Sequence, residues 1–156
     1  MLYISLLQKI KLISKKKQNI ITFVGKLNRS KGYDLFGKAV IKILRKYKNW
    51  KVVVAGNEPR EKFFFKHQNY KIYPWLSHKK ILELYKNSSI SVVPSKWEEP
   101  FGRTAMESAA NGCATIISPR GGLTETFNSD LILRELTVDE IYKKIEFLIK
   151  NPKILK

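Results

Sequence analysis

Two glutamates and the short segment between them have the residue types of an anion-binding site. Glu99 and Glu107 are separated by seven residues, which include the turn sequence Pro-Phe-Gly at 100–102 and a predicted helix start at Thr104. The first N–H groups of a helix lack partners within it and attract phosphate. The alternative is that both carboxylates only favour the positive helix end, which contributes about 0.3–1 kcal/mol each. We expect a phosphate-type ligand at the amides of Gly102, Arg103 and Thr104.

A second segment with binding chemistry is the loop 25–32, Gly-Lys-Leu-Asn-Arg-Ser-Lys-Gly, which follows a predicted strand and precedes a predicted helix. Its glycines, Gly25 and Gly32, allow a tight turn and a close approach of the backbone to a ligand. Lys26 and Lys31 have the charge to hold a diphosphate. The spacing is not that of a P-loop. On these residues alone, a solvated turn with ordinary surface lysines is the better explanation.

Both loops lie between apolar runs and segments of helical periodicity that alternate along the chain. Phe36, Val40 and Ile43 recur at helical spacing, Ser77 is a predicted N-cap, and a capping box from Thr137 to Glu140 opens the last predicted helix. The runs predicted as strands are Ile20–Val24, Val52–Ala55, Tyr70–Tyr73, Ile90–Val93, Ala114–Ile117 and Leu131–Leu133.

Near-continuous apolar strands separated by helices predict an α/β fold, a Rossmann-like parallel sheet with helices on both faces. Ligands of such sheets bind at the carboxyl ends of the strands. The loops 25–32, 95–103 and 118–124 all leave predicted strands at that edge. We therefore expect the binding site where these three loops meet.

The 156 residues have a net charge of +17, and residues 1–50 contribute 13 basic side chains and one acidic one. We divide the chain into a basic segment, 1–18, and a Rossmann-like domain, 19–156. Leu2, Leu6, Ile10 and Ile13 fall on one helical stripe of the first segment. It is either an amphipathic helix on an anionic membrane or a linker, and the linker is favoured, with Lys15–Lys17 solvated.

Composition excludes several classes of protein. The 24 lysines against 6 arginines weaken a nucleic-acid function, because base reading favours arginine. A single cysteine, Cys113, excludes a disulfide framework within the chain and is expected to be small, buried and unreactive. His67 and His78 have no carboxylate or thiol partner at metal-ligand spacing, so we expect surface histidines and no metal site. No apolar run reaches the roughly 18 residues of a membrane span, which favours a soluble, intracellular protein.

Taken together, the motifs resemble the C-terminal half of the group 1 glycosyltransferases (glycosyltransferase family 4), which have the GT-B architecture. The similarity extends from about Ile20 to Asn151. It rests on the E-x7-E pair Glu99 and Glu107, the lysine loop with Lys26 and Lys31, Pro94-Ser95 before Glu99-Pro100-Phe101-Gly102, the segment Asn111–Ile117 and the segment Gly121–Glu125.

The resemblance implies that residues 19–156 bind a nucleotide-diphosphate sugar and that the protein is a retaining glycosyltransferase without a cofactor or an essential metal. The acceptor would be a glycan or a lipid-linked molecule in surface polysaccharide or lipopolysaccharide biosynthesis. The implied location is the cytoplasm, with peripheral contact to the inner face of the membrane left open. The partner would be the N-terminal GT-B domain, which this chain lacks, and without it the chain is expected to be inactive.

The resemblance also implies roles for individual residues. Lys26 and Lys31 would hold and stabilise the departing diphosphate, and Glu99 would contact the sugar beside the reacting carbon, so these three are the predicted catalytic residues. Glu107 would accept hydrogen bonds from the ribose hydroxyls. The other predicted donor-binding residues are Gly25, Phe101, Gly102, Arg103, Thr104, Trp75 and Leu76, the last two near the base.

This sequence departs from the family pattern at a few positions. Lys26 replaces an arginine, Glu58 replaces a frequent glycine, and Pro74 replaces the usual glycine of the base-binding loop, so the base cannot be named from the sequence. Trp97 is interpreted equally as part of the sugar site or as packed under its loop. Two alternative functions are a non-catalytic nucleotide-sugar-binding half that works only with a separate domain, and a basic membrane- or nucleic-acid-binding module. The two glutamates argue against a polyanion partner.

Overall fold

A computed structural model of the chain describes residues 16–98, 102–121, 124, 127 and 129–155. Parallel strands alternate with helices in the described part. The elements are β1 (Gln18–Val24), α1 (Tyr33–Lys46), β2 (Lys51–Ala55), β3 (Tyr70–Tyr73), α2 (His78–Asn87), β4 (Ser88–Val93), α3 (Arg103–Ala110), β5 (Ala114–Ile117) and α4 (Val138–Lys150), with 3₁₀ turns at Ser129–Leu131 and Pro152–Leu155.

The five strands form one parallel sheet in the order β3-β2-β1-β4-β5. Helices α1 and α4 pack against each other on one side, while α2 and α3 pack together on the other. β1, β4 and β5 are nearly continuously buried, as expected where both faces of a sheet are covered, whereas three of the four residues of the edge strand β3 are exposed. The predicted Rossmann-like fold with helices on both faces is therefore confirmed.

The main core lies between the sheet and the pair α1 and α4. It is aromatic at the end nearest β3, where the buried Tyr33 and Tyr70 hydroxyls are 2.6 Å apart. Burial raises the pKa of both tyrosines above the ordinary value. Phe65 lies against Gly37 of α1, where an added Cβ would come within 2.0 Å of its ring. The fully buried aliphatic members include Ile21, Val40, Ile43, Leu44, Ile90, Ile116, Ile141, Ile145 and Leu148.

The sixth predicted strand, Leu131–Leu133, is wrong. Ile132 makes a single parallel bridge to Ile117, and the Leu133 amide donates to the Ile117 carbonyl at 2.9 Å. The chain has already turned at the 3₁₀ segment Ser129–Leu131, so only one residue is extended beside β5. A strand needs a ladder of such bonds, and three apolar residues are too few to specify one.

The predicted helix caps are confirmed in part. Ser77 Oγ accepts a hydrogen bond from the Lys80 amide, and Thr137 Oγ1 accepts one from the Glu140 amide. The second half of the predicted capping box differs, because the Glu140 carboxylate accepts from the Arg134 amide at 3.3 Å. Glu140 therefore ties the preceding loop to the first turn of α4.

Candidate functional site

A pocket of about 100 Å³ lies at the carboxyl ends of β1 and β4, the edge where the sequence predicted ligand binding. Its floor is formed by Phe23, Val24, Val92 and Val93, and its rim by the loops that follow these two strands. Four predicted site residues line it: Gly25, Lys31, Arg103 and Thr104. The fold therefore brings the lysine loop and the start of α3 to one place.

The lysine loop 25–32 is shaped by its own hydrogen bonds, most of which involve Asn28. The Asn28 amide donates to the Lys26 carbonyl at 2.9 Å, and the Asn28 carbonyl accepts from the Tyr33 amide at 3.1 Å. The Asn28 side-chain oxygen accepts from the Lys31 amide at 3.0 Å. These bonds fold the loop back onto the start of α1. Lys26 is exposed and does not line the described pocket.

The lysine loop is joined to the loop that follows β4. The Lys96 amide donates to the Ser30 carbonyl at 2.9 Å, and Lys96 Nζ lies 3.1 Å from Asp34 in the first turn of α1. Gly32 has φ 73° and packs directly against the Pro94 carbonyl, since an added Cβ would lie 1.9 Å from that oxygen. The lysine loop and residues 94–96 therefore pack against each other and are joined by a backbone hydrogen bond.

Helix α3 begins beside this rim. Gly102, the residue before its first turn, is buried, and its carbonyl accepts from the Met106 amide at 3.0 Å. Arg103 is exposed and Thr104 half-buried, both at the pocket. The partial positive charge of the helix start and the positive charge of Lys31 are therefore both located at this pocket. Two other predicted residues, Glu99 and Phe101, lie outside the described residues.

Glu107 lies one turn into α3 and faces the start of α2. Its Oε1 atom is 3.0 Å from His78 Nε2 and 3.3 Å from Arg103 Nε. His78 is exposed, as predicted for a surface histidine, and this single carboxylate contact does not contradict the prediction that it has no partner at metal-ligand spacing. Glu107 lies 29 residues away in the sequence, and only the packing of α2 against α3 brings the two side chains together.

The predicted base-binding residues lie on the loop from β3 to α2. Trp75 is 79% exposed, and Leu76 is half-buried. The loop begins at the carboxyl end of the edge strand β3 and ends at His78, which contacts Glu107 on α3. Neither Trp75 nor Leu76 is among the described residues that line the pocket. Trp97, at 64% exposure, does not pack under its loop, so that interpretation is wrong.

Glu58, which the sequence singled out only as a departure from a family pattern, contacts the lysine loop and is not among the described residues that line the pocket. Its side chain is 4% exposed, and it is bound by Arg60 Nε at 2.9 Å and by Asn28 Nδ2 at 3.2 Å. Chiefly through the hydrogen bond from Arg60, these partners lower the pKa of Glu58 to about 2. An acidic residue three positions after a buried strand, at the edge where ligands bind, was the available signal.

Two further predictions concern residues at the amino-terminal ends of the strands, opposite the pocket. Cys113 is buried as expected, and burial raises the pKa of its thiol to about 11. The prediction that Lys17 is solvated is wrong, because its ammonium donates to the Tyr85 carbonyl at 2.7 Å and the Asn111 carbonyl at 2.5 Å. Burial lowers the Lys17 pKa. The predicted amphipathic stripe of residues 1–15 lies outside the described residues.

The family model for glycosyl transferases group 1 matches residues 7–156. The chain belongs to this family. An uncharacterized glycosyltransferase of Methanocaldococcus jannaschii is 30% identical over 124 residues, which is 73% of this chain. This finding confirms the resemblance that the motifs indicated.

Solved structures agree on the fold. The C-terminal domain of a group 1 glycosyl transferase from Francisella tularensis has a TM-score of 0.78 and 26% identity, over 97% of this chain and 84% of that domain. A fold match with 15% identity and a TM-score of 0.75 is Anabaena HepE in complex with UDP-glucose, where the alignment covers 97% of this chain and 44% of HepE. The chain therefore has the fold of a GT-B C-terminal domain.

The chain spans about a third of the length of the curated relatives it matches. It covers 30% of the archaeal protein and 37% of a Klebsiella pneumoniae protein in a cps region. No helix among residues 16–98 and 102–155, so far as these are described, is long and apolar enough to span a membrane. Within the same residues, no three His, Cys, Asp or Glu side chains are grouped as metal ligands.

Proposed function

We propose that this chain is the donor-binding half of a retaining glycosyltransferase that takes a nucleotide-diphosphate sugar. The observation that supports it is the convergence of Gly25, Lys31, Arg103 and Thr104 on one pocket at the carboxyl edge of the sheet. A cation, a glycine backbone and a helix start are the groups that bind a diphosphate. The UDP-glucose bound to HepE, a protein of the same fold, supports a ligand of this class.

Transfer breaks the bond between the anomeric carbon of the sugar and the diphosphate oxygen. The electron pair stays on the diphosphate, the acceptor hydroxyl oxygen bonds to the carbon, and the hydroxyl proton is released. Negative charge therefore grows on the leaving group in the transition state. The ammonium groups of Lys26 and Lys31 and the start of α3 would stabilise that charge, so their effect is largest in the transition state.

The two glutamates have different proposed roles. Glu99 would contact the hydroxyls of the sugar beside the reacting carbon. Glu107 would accept hydrogen bonds from the ribose, with one oxygen held by His78 and Arg103. In that position His78 orients the Glu107 carboxylate, while Trp75 and Leu76 would lie near the base. No step of this proposal requires a metal or a cofactor.

The proposed acceptor is a glycan or a lipid-linked molecule of surface polysaccharide or lipopolysaccharide synthesis, handled in the cytoplasm or at the inner face of the membrane. The relative in a Klebsiella pneumoniae cps region supports the polysaccharide part. The lengths of the relatives favour a second domain for the acceptor. A non-catalytic half that binds the nucleotide sugar and acts only with a separate partner is the second candidate, and the same lengths favour it.

The test is calorimetric titration of the purified chain with UDP, GDP and ADP. We expect saturable binding of one nucleotide, weakened by about tenfold or more in Lys31→Ala and Glu107→Ala, because each loses a charge-assisted contact. Lys38→Ala, an exposed lysine of α1, is the matched control and should bind like the unchanged chain. Absence of binding to all three nucleotides would overturn the proposed function.

A further inference from the structure

The donor chemistry proposed above leaves one buried charge unexplained, the carboxylate of Glu58. It lies three residues after β2, with 4% of its side chain exposed. A buried carboxylate is unfavourable unless it is fully hydrogen-bonded, and this one accepts four hydrogen bonds, one of them from the Arg60 amide at 3.3 Å. Arg60 supplies its Nε at 2.9 Å and its Nη2 at 3.2 Å, and Asn28 supplies its Nδ2 at 3.2 Å.

The bond to Asn28 sets the orientation of that side chain. An ionised carboxylate only accepts hydrogen bonds, so it requires the NH₂ group of Asn28 to point toward Glu58. The Asn28 oxygen then faces the opposite way, where it accepts from the Lys31 amide at 3.0 Å. A flipped amide would place an oxygen against the carboxylate and an NH₂ group against the Lys31 N–H. Glu58 therefore determines which way Asn28 bonds to the loop.

The surrounding contacts make this connection rigid. Glu61 adds a second bond from the same segment, because its carboxylate accepts from the Arg29 amide at 3.2 Å. The Arg29 guanidinium lies 5.6 Å from the centre of the Phe63 ring. The segment after β2 is therefore attached to the lysine loop at two neighbouring residues, the side chain of Asn28 and the backbone amide of Arg29.

We propose that Glu58 is a positioning residue for the donor diphosphate: through Asn28 it fixes the backbone at Lys31 so that the lysine loop is preformed around the pocket. This inference rests on the proposed function. It assigns to Glu58 no contact with the ligand. Its effect on binding should therefore pass through Asn28 and be confined to the diphosphate part of the ligand.

A residue that only stabilises the fold would behave differently. Loss of Glu58 would then weaken every ligand of the pocket alike, in proportion to the fraction of unfolded chain. A positioning role predicts a split, with the diphosphate weakened and the nucleoside unchanged. It also predicts coupling, since removing Glu58 can do little more once Asn28 is gone.

The experiment measures the affinity of the best-binding nucleoside diphosphate and of its parent nucleoside, for five proteins. These are the unchanged chain, Glu58→Ala, Asn28→Ala and the double variant, with Glu58→Gln included because it keeps the size of the side chain and one acceptor. We expect about tenfold weaker diphosphate binding in Glu58→Ala, a smaller loss in Glu58→Gln and no change for the nucleoside. The double variant should match Asn28→Ala. Glu83→Gln, an exposed glutamate of α2, is the control for the loss of one negative charge.

The outcomes separate this inference from the proposed function. If the unchanged chain binds no nucleoside diphosphate, both are overturned. If it binds one, and Glu58→Ala binds it equally well, the role of Glu58 alone is overturned. Equal losses for nucleoside and diphosphate, or additive losses in the double variant, would likewise contradict positioning. Thermal unfolding of each variant shows whether it is folded at the temperature of the titration.

Discussion

Two regions at the carboxyl edge of the sheet, which the proposed function assigns to the diphosphate and to the nucleoside of the donor, are built in different ways. The diphosphate side, comprising the loop 25–32 and the residues 94–96 against it, is held by hydrogen bonds to Asn28, Ser30 and the buried Glu58. The nucleoside side, comprising Tyr73 to His78, consists mainly of exposed side chains, with Tyr73 at 41% and Trp75 at 79% exposure. Its described tie to α3 is the contact of His78 with Glu107.

This difference corresponds to what each side would recognise. Every nucleotide-sugar donor has the same diphosphate, so a fixed cradle suits it, and preorganised groups cost no rearrangement during the reaction. The base differs between donors, and an exposed loop can change its side chains without disturbing a core. We expect variants on the first side to affect stability and binding together, and variants on the second side to affect binding alone.

The largest effect is expected from Gly32→Ala, which breaks the rigid side. An alanine at φ 73° costs roughly 1–2 kcal/mol for the left-handed backbone, and its Cβ would lie 1.9 Å from the Pro94 carbonyl oxygen. Because that oxygen belongs to backbone, the two loops must separate. We expect a marked fall in the unfolding temperature and loss of nucleotide binding, measured by calorimetry.

The matched control for this change is Gly112→Ala. Gly112 also has a positive φ, 86°, but the nearest atom to its added Cβ is Cε of the Lys17 side chain, at 3.1 Å. Gly112→Ala therefore has the same backbone strain, but its close contact can be relieved by a movement of the Lys17 side chain. Equal losses of stability in the two variants would show that the packing of Gly32 against Pro94 contributes nothing, and the contrast between the two sides would fail.

A smaller effect is expected from acid, which removes the charge of Glu58. The folded-state pKa of this carboxyl is about 2, mainly because of Arg60, against an ordinary value of 4.5. A lowered pKa means that the ionised form stabilises the fold above pH 4.5, and that this contribution is lost as the pH falls from about 4.5 to about 2. Thermal unfolding across that range should show a steeper decline for the unchanged chain than for Glu58→Gln.

Glu146 offers an internal comparison for the same measurement. It joins α1 to α4, accepting from Lys46 Nζ, Tyr47 Oη and Tyr142 Oη at 2.8–2.9 Å, and its pKa is also lowered to about 2, chiefly by Lys46. Glu146→Gln should flatten the acid dependence of stability but leave nucleotide affinity at neutral pH unchanged. If Glu146→Gln weakened nucleotide binding as much as Glu58→Gln is expected to, the loss of binding in the Glu58 variants would be explained by lower stability of the fold and not by positioning.

Most of the fold could be predicted from the sequence because its signals are local. Runs such as Val52–Ala55 and Ile90–Val93, and caps such as Ser77, depend on neighbouring residues alone. The predictions that were wrong concerned segments of very few residues or contacts between residues far apart in the sequence. Leu131–Leu133 was too short to fix a ladder, and the contact of Lys17 with two carbonyls requires a register between strands and helix ends that no local pattern encodes.

The site shows the same limit more sharply. Lys31, Gly25, Arg103 and Thr104 were placed together by the rule that loops meet at the carboxyl edge of a parallel sheet. Asn28, Glu58 and His78 were missed in their observed roles, because each acts through a partner at least 29 residues away. The sequence shows that Glu58 is charged but not that it is buried, and only its burial indicates that the carboxylate has a specific role.

The smallest effect is expected from Trp75→Ala on the open side. With 79% of the residue exposed, its truncation should leave the unfolding temperature unchanged, since little apolar area is released. If the indole contacts the base, stacking of roughly 1 kcal/mol or more should be lost, which weakens the nucleoside and its diphosphate by the same factor of about five. Phe64→Ala, a truncation of a 90% exposed aromatic residue after β2, should change neither affinity. A loss confined to the diphosphate would instead assign Trp75 to diphosphate binding and remove the distinction between the two regions.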